Sequence, residues 1–405
     1  MGKEGLSLWR GSKLAGFFMF CGWRNKVIMS LAAGIVLSIS GAGVCAKDLE
    51  LEGVYEAALD LPRIMFLLKR KPDGDALKYQ GRFERNWGFV DTGASGVLLS
   101  RETAEQLEVV IEQEAKFVDI GIGGEEYFDV SEPLYIGLAD FEEMGSDEPD
   151  EYKLAGPMRL QVKQFTAGLM IGAIDVVGMP ALEGQILVLD SGATNDLEYF
   201  AASIKERGDA SIPMSDIVVS FRYGSFLYPN NPKNVRPLPA MSYNPVIDNI
   251  EISYNDRSSK GSWLFDTGAT ISLISTEQAR RLGLTEVRRE PDFSVPMGGV
   301  GAMIEVAGFE IDSMRVPTVS GDELVFKKAR LGVCDIRYFD EEKGEFVALD
   351  GVFGSNFLCA SAKMEGFLPG DISETAFDKI VIDVDRGLLG FDVRDAYMAG
   401  RGDGE

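Results

Sequence analysis

A long segment of this chain occurs twice, and each copy places an Asp directly after a run of apolar residues. The copies are Trp87–Leu107 (WGFVDTGASGVLLSRETAEQL) and Trp263–Leu282 (WLFDTGATISLISTEQARRL), which align Asp91 with Asp266. Each reads as a buried strand, a tight turn, a second apolar strand and a helix that begins at a Ser. Because a carboxylate at the end of an apolar strand is costly to bury alone, the duplication predicts that the two Asp residues pair with each other.

A second pair of matched segments extends the repeat beyond the Asp turns. Val176-Val177-Gly178 recurs as Val352-Phe353-Gly354, and the two Gly lie 87 and 88 residues after the Asp of their own copy. Each segment is followed by an apolar strand that ends in Asp, namely Leu187–Asp190 and Ile380–Asp383. The matching order and spacing indicate a duplicated structural unit rather than a chance tetrapeptide.

The pattern of short apolar runs predicts an all-β architecture. From Lys47 onward these runs are broken by Gly, Pro, Asn and Asp, and long helical patterns are few. Residues 228–245 (YPNNPKNVRPLPAMSYNP) are rich in Pro and Asn and are predicted to link the two units. The amino-terminal lobe is therefore predicted at residues 47–227 and the carboxy-terminal lobe at residues 246–405.

Composition excludes several classes of function. The 405 residues include 40 Lys and Arg against 64 Asp and Glu, a net charge of −24 that argues against binding to nucleic acid or anionic membrane surfaces. Histidine is absent, so no Ser-His-Asp triad, Cys-His dyad or His-ligated zinc site can form. Carboxylates remain as the main acid and base groups. The acidic clusters lack calcium-loop spacing, and we predict neither a metal nor a cofactor.

The first 46 residues have the pattern of a signal peptide or an amino-terminal membrane anchor. Arg24 and Lys26 precede the apolar run Val27–Val44, and Val44-Cys45-Ala46 fits a signal-peptidase site. An exported protein, periplasmic or secreted, is the expected result. The apolar run of 18 residues is also at the lower limit of a membrane span, so an uncleaved anchor is the alternative.

Cleavage after Ala46 would leave two cysteines, Cys334 and Cys359. In an oxidising compartment they could form one disulfide within the carboxy-terminal half. Two free buried thiols are the alternative.

The paired turns resemble those of the aspartic proteases, with the D-T-G-A sequence of retropepsins and both copies in one chain as in the bilobal pepsins. The resemblance covers residues 51–393 and implies two homologous β-barrel-like lobes with a few short helices and a catalytic cleft between them. It also implies that Asp91 and Asp266 form a catalytic dyad, which activates a water to hydrolyse peptide bonds by general acid-base catalysis. The substrate would be a peptide or protein, and the enzyme would be a monomer.

The resemblance assigns supporting roles as well. Thr92 and Thr267 would lock the two turns together, Gly93 and Gly268 would allow their close approach, and the strands ending in Gly178 and Gly354 would pass behind them. Two glycine-rich hairpins would be flaps that close over the substrate. The flap candidates are Gly123, Gly124, Tyr127, Gly299 and Gly301.

A third motif, Asp190-Ser191-Gly192-Ala193, also resembles the D-S-G of some aspartic proteases. The internal repeat aligns it with Asp383, at the end of a strand where no catalytic turn is expected. We therefore predict that Asp190 ends a strand and lies outside the catalytic dyad.

The chain departs from pepsins in three respects. It lacks a Tyr-Gly-Thr-Gly flap turn, and residues 48–60 are acidic where pepsin zymogens carry a basic pro-segment. Ala94 and Ala269 stand where pepsins often have a hydroxyl that hydrogen-bonds to the catalytic carboxylate. Without that bond the ionised dyad is less stable, so activity is predicted to peak nearer neutral than strongly acid pH.

Two other functions compete with proteolysis. A non-catalytic peptide-binding protein could use the same fold, although a pure binder has no need to keep Asp, Thr and Gly in both turns. A glycosidase also uses a carboxylate pair, but its chemistry does not require two equivalent D-T-G-A turns.

Overall fold

The computed structural model describes residues 48–78, 86–139, 152–165, 174–191, 200–205, 215–228, 230–285, 289–340, 342–365 and 368–398. The predicted signal peptide or anchor lies outside these ranges. None of the helices within the described ranges combines the length and the apolar character needed to span a bilayer.

Most of the described chain is β-strand. The strands of the amino-terminal half are β1 (Leu49–Glu52), β2 (Ala57–Ala58), β3 (Pro62–Lys69), β4 (Asn86–Val90), β5 (Leu98–Leu99), β6 (Phe117–Gly121), β7 (Gly124–Ala139), β8 (Lys153–Lys163), β9 (Asp175–Val177), β10 (Ile186–Asp190), β11 (Phe200–Lys205), β12 (Ile217–Ser220) and β13 (Arg222–Gly224). Those of the carboxy-terminal half are β14 (Asn244–Tyr254), β15 (Arg257–Asp266), β16 (Leu273–Ile274), β17 (Phe293–Met297), β18 (Ile304–Pro317), β19 (Glu323–Val333), β20 (Arg337–Asp340), β21 (Glu345–Ala348), β22 (Gly351–Gly354), β23 (Ser361–Glu365), β24 (Leu368–Ser373), β25 (Phe377–Asp383) and β26 (Leu388–Val393).

Each half closes a six-stranded barrel, and the two barrels have the same strand order. The first runs β3-β4-β9-β5-β8-β7 and closes where β7 pairs with β3. The second runs β14-β15-β22-β16-β19-β18 and closes where β18 pairs with β14. Position by position, β4 corresponds to β15 and β9 to β22, so the sequence repeat is a repeat of topology. The predicted class, two all-β lobes of related structure, is confirmed.

A shared sheet joins the barrels. The two apolar strands predicted to end in Asp190 and Asp383 are β10 and β25, which pair antiparallel with Val188 opposite Val381. The strands β11 and β26 flank this pair. Equivalent strands therefore meet side by side at the pseudo-twofold axis that relates the two halves.

The first strand of the described chain belongs to the sheet of the opposite half. β1 runs parallel to β19, with Leu49 opposite Leu324. Leu49 and Leu51 are buried. The acidic residues between and around them form ion pairs with basic residues of the second half. The ion pairs are Asp48 with Arg315 (3.4 Å), Glu50 with Lys327 (2.9 Å), Glu52 with Lys328 and Glu56 with Arg330. The lobe limits predicted at 227 and 246 stay a prediction.

Two short helices follow the Asp turns, as the repeat predicted. α1 (Arg101–Gln106) begins after Ser100 and α3 (Thr276–Leu282) after Ser275, and each Ser hydroxyl accepts a backbone N–H three residues later. Ser275 with Gln278 three residues later has the sequence of a capping box, but the Gln278 side chain bonds to Lys260 and Asp350 instead of Ser275. The other helices are α2 (Met179–Leu182), α4 (Asp395–Met398) and a 3-10 turn (Ser355–Phe357).

Candidate active site

The two D-T-G-A turns meet face to face between the barrels. Asp91 follows the last residue of β4 and Asp266 is the last residue of β15, and both side chains are at most 1% exposed. A β-carbon added to Gly93 would lie 2.4 Å from the Asp266 carboxyl carbon, and one added to Gly268 would lie 2.4 Å from that of Asp91. Each glycine therefore packs on the carboxyl group of the opposite turn, where no larger residue fits.

Two buried threonines tie the turns together. The Thr92 hydroxyl donates to the carbonyl of Phe265 (2.7 Å), and the Thr267 hydroxyl donates to the carbonyl of Val90 (2.7 Å). Each hydroxyl also accepts the backbone N–H of the other threonine, at 3.1 Å in both directions. These four bonds form the cross-link that the resemblance implied, and they fix the distance between the two Asp residues.

Backbone N–H groups orient the carboxylates within each turn. Ala94 N–H donates to Asp91 Oδ1 (2.8 Å) and Gly268 N–H donates to Asp266 Oδ1 (2.9 Å). The two carboxyl groups also hydrogen-bond to each other. Asp266 Oδ2 accepts no hydrogen bond from the described residues, so one carboxylate oxygen of the pair keeps its capacity for a further donor.

Burial controls the protonation of the pair. It raises the pKa of Asp91 well above the ordinary value, and the neighbouring Asp266 charge raises it further. Burial likewise raises the pKa of Asp266, to about 7. Because two carboxylates in contact cannot both ionise cheaply, the pair holds one proton near neutral pH and then contains one acid and one base. Such proton sharing is already well known from the catalytic dyad of the aspartic proteases.

The strands predicted to pass behind the turns do so. β9 runs parallel to β4, and β22 runs parallel to β15 with Asp266 opposite Gly354. A β-carbon on Gly178 would lie 2.0 Å from the carbonyl oxygen of Gly96, so Gly is required there. These strands support the rear of both turns.

A family model described as aspartyl protease matches residues 250–357, which contain the Asp266 turn and the Gly354 strand. This segment is similar to members of that family. An aspartic proteinase from Irpex lacteus has a similar structure, with 13% identity, a TM-score of 0.40, and coverage of 84% of this chain and 99% of that chain. Basic 7S globulin from soybean shows 10% identity, a TM-score of 0.41, and coverage of 84% and 97%. No curated protein matches the chain in sequence.

The aspartyl protease family and the two-barrel topology together suggest a hydrolase with aspartic peptidase activity. The Asp91 turn lies outside the matched segment. The internal repeat and the contact between the two turns are what connect it to the family pattern.

The two glycine-rich hairpins touch at their tips. One is β6–β7 and the other is β17–β18, and Gly123 N–H donates to the Val300 carbonyl (2.9 Å) while Gly301 N–H donates to Glu126 Oε2 (3.1 Å). A β-carbon on Gly123 would lie 1.9 Å from the Ala302 nitrogen, so this contact requires Gly at the tip.

The remaining flap candidates lie around these tips. Gly124 begins β7, and Gly299 lies in the loop between β17 and β18. Tyr127 of β7 lies opposite Val118 of β6, and its side chain is 44% exposed. The action of all these residues as flaps over a substrate stays a prediction.

The third D-S-G-A motif begins at the end of β10, in the sheet that strands of both halves share. Asp190 ends β10 and pairs in register with Lys379 of β25, with an ion pair at 3.6 Å. Gly192 and Ala193 lie outside the described residues.

The disulfide considered for Cys334 and Cys359 is wrong, because both are free thiols. Cys359 is buried in the larger apolar core beyond the 3-10 turn, whereas Cys334 packs against a separate apolar cluster with Ile336 and Leu349. Burial raises the pKa of Cys334 to about 11 and that of Cys359 still further. The alternative of two unbridged thiols therefore holds.

Several site residues escaped the sequence analysis. Asn244 and Ser355 donate hydrogen bonds to backbone carbonyls of the two catalytic turns. Asp175, on the strand behind the first turn, accepts hydrogen bonds from Ser100 N–H and the Thr103 hydroxyl (2.7 Å each). Asn244 lies in the segment predicted as a linker, where no motif marks it. Ser355 could have been noticed as a break in the repeat. It follows Gly354, whereas the equivalent Gly178 is followed by Met179.

Proposed function

We propose that this chain is an aspartic endopeptidase that hydrolyses peptide bonds through a water activated between Asp91 and Asp266. The observation that carries this proposal is the direct contact of two buried carboxyl groups at the centre of the threonine cross-link. No other pair of ionisable groups in the described chain combines burial, mutual contact and raised pKa values with such a support.

The chemistry follows from one shared proton. The ionised carboxylate takes a proton from the water as the oxygen attacks the scissile carbonyl carbon, while the protonated carboxyl donates to the carbonyl oxygen. A tetrahedral intermediate forms, a proton passes to the leaving nitrogen, and the C–N bond breaks. No covalent enzyme intermediate is required. Asp266 Oδ2, which accepts no bond from the described residues, is the oxygen best suited to accept a proton from the water.

The touching hairpins bear on how a substrate would enter. We propose that the tips at Gly123 and Gly301 cover the dyad, separate when a peptide binds and close again over it. Closure would exclude bulk water and strengthen the electrostatic interactions at the reacting carbonyl.

A glycosidase fits this geometry poorly. Carboxyl pairs that cleave glycosidic bonds stand about 5–5.5 Å or 6.5–9.5 Å apart to flank a sugar, whereas Asp91 and Asp266 hydrogen-bond to each other. Two carboxyl groups in such contact leave no space for a sugar ring between them.

A cleavage assay on a mixed peptide library tests the proposal. The wild-type protein should cut internal peptide bonds, and an inhibitor that mimics the tetrahedral intermediate should block it. Asp91→Asn and Asp266→Asn should each abolish cleavage and keep the far-UV circular dichroism of the wild type. Asp190→Asn is the matched control and should retain full activity.

Retained activity in either dyad variant would overturn the mechanism. Peptide binding without cleavage, unchanged in both variants, would instead identify a non-catalytic peptide-binding protein.

We further propose that the enzyme is exported and acts as a monomer; export is supported by the signal-like residues 24–46 alone. Amino-terminal sequencing of the protein purified from the producing cells tests this. A new terminus at Lys47 in a soluble fraction supports export, and an intact terminus in the membrane fraction would favour the anchor.

A further inference from the structure

The two catalytic turns have the same sequence and are held by different residues. In the second turn, the Ser355 hydroxyl donates to the Thr267 carbonyl (2.8 Å), and Ser355 belongs to the same barrel as that turn. In the first turn, the Asn244 side-chain nitrogen donates to the carbonyls of Thr92 (3.0 Å) and Gly93 (2.9 Å). Asn244 opens β14, so the first turn is held by a strand of the second barrel.

The two carbonyls that Asn244 binds are not arbitrary. In a trans peptide unit the C=O and N–H groups point in opposite directions, and the Thr92 carbonyl shares its unit with Gly93 N–H. The Gly93 carbonyl likewise shares its unit with Ala94 N–H. Ala94 N–H donates to Asp91 Oδ1 (2.8 Å), and the backbone N–H of Gly93 lowers the pKa of both carboxyl groups. Asn244 therefore fixes, from behind, both peptide units whose N–H groups face the carboxylates.

The orientation of the Asn244 amide is itself fixed. Its side chain is fully buried, and the Ser95 hydroxyl donates to Asn244 Oδ1 at 2.6 Å. A flipped amide would place its oxygen against two carbonyl oxygens and its N–H₂ group against the Ser95 hydroxyl. Three hydrogen bonds thus hold the nitrogen toward the catalytic turn.

We propose that Asn244 is a positioning residue that sets the protonation of the dyad by holding these two peptide units, a role that rests on the proposed protease function. Hydrogen bonds from N–H groups stabilise an ionised carboxylate and lower its pKa. By holding these two peptide units, Asn244 keeps their N–H groups turned toward the carboxyl groups and so favours one ionised carboxylate in a buried site. Because Asn244 comes from the second barrel, it also makes the first turn sensitive to how the barrels are packed.

The test uses two variants of Asn244 in the full chain. Asn244→Leu removes the donors at similar volume, and Asn244→Asp places a carboxyl against the two carbonyls. Gln278→Leu is the matched control, because Gln278 is also a buried amide that donates to the carbonyl of Lys260, away from the turns. Ser95→Ala is the mild variant, since it removes the hydroxyl that holds the Asn244 amide.

Two measurements are made on each protein: the pH dependence of kcat and KM, and the titration of the aspartate carboxyl carbons by NMR. In Asn244→Leu the lower pKa of the dyad should rise by about one unit. We expect kcat to fall about tenfold with KM unchanged, because Asn244 is fully buried behind the turn. Asn244→Asp should raise this pKa more than Asn244→Leu does, and Ser95→Ala should raise it less. Gln278→Leu should leave it unchanged.

The role is refuted if the dyad pKa in Asn244→Leu moves no more than in Gln278→Leu. If Asn244→Leu does not fold, an unchanged dyad pKa in Ser95→Ala refutes it equally. Absence of cleavage by the wild-type protein would overturn the proposed function alone, because the NMR titration tests the positioning role without a substrate.

Discussion

Removing one hydroxyl from the threonine cross-link should destabilise the whole protein strongly. Thr267→Val keeps the side-chain shape and deletes two hydrogen bonds, one donated to the Val90 carbonyl and one accepted from Thr92 N–H. Both groups left behind are fully enclosed between the turns, and an unpaired buried group costs about 1–3 kcal/mol. The free energy of unfolding should therefore fall by about 4 kcal/mol. That is a large part of the roughly 5–15 kcal/mol by which a native protein is stable.

The pseudo-twofold symmetry supplies an internal check on that magnitude. Thr92→Val leaves the Phe265 carbonyl and Thr267 N–H unpaired, so it should cost about the same. Thr276→Val is the control, because Thr276 is exposed at the start of α3 and its substitution should change stability by less than about 0.5 kcal/mol.

Urea unfolding, followed by tryptophan fluorescence and far-UV circular dichroism together, measures these differences. Thr267→Ser retains the hydroxyl and should recover most of the stability that Thr267→Val loses. The Thr267 hydroxyl does not stabilise the fold in this way if Thr267→Val unfolds at the urea concentration of Thr276→Val, or if Thr267→Ser is as unstable as Thr267→Val.

Three further predictions follow from the buried titratable groups. Burial raises the pKa of Asp175 to about 7, above an unfolded value of about 3.9, so its contribution to stability is complete below pH 4 and is lost as pH rises through about 7. Wild type should therefore lose stability over that interval relative to Asp175→Asn, and urea midpoints that change in parallel would refute this. Cleavage should decline as pH falls below about 7, where the dyad takes up its second proton, and a rate profile that peaks only in strong acid would contradict it. With Cys21 and Cys45 replaced by Ser, denatured protein should titrate two thiols, Cys334 and Cys359, without reductant, whereas none would indicate a bridge.

The sequence was sufficient for the features that repeat. Aligning Asp91 with Asp266 predicted two related all-β lobes, the strands behind each turn and the helices after Ser100 and Ser275. A duplicated apolar pattern predicts topology well, because each copy must bury the same face in the same way. The motif also predicted that the turns meet, since a buried carboxylate needs a partner.

The features that break the repeat could not be predicted. Asn244 and Ser355 hold equivalent turns from different places in the chain, and nothing in a local pattern specifies a contact across about 150 residues. The two free cysteines are a similar case. Whether Cys334 can reach Cys359 depends on which apolar cluster each one joins, and that is a property of the packed barrels rather than of the spacing.

The pairing of β1 with β19 has a consequence for how this protein is made. A ribosome releases Leu49 long before Leu324, so the edge of the second sheet cannot be completed until most of the chain has been synthesised. Contacts at such sequence separation are typical of slow folding. Until β1 docks, one edge of β19 has unpaired backbone groups. The positive charges of Lys327, Lys328 and Arg330 on that strand then disfavour pairing of the open edge with another chain. Cutting the chain between the barrels would give two fragments that each lack strands held by the other.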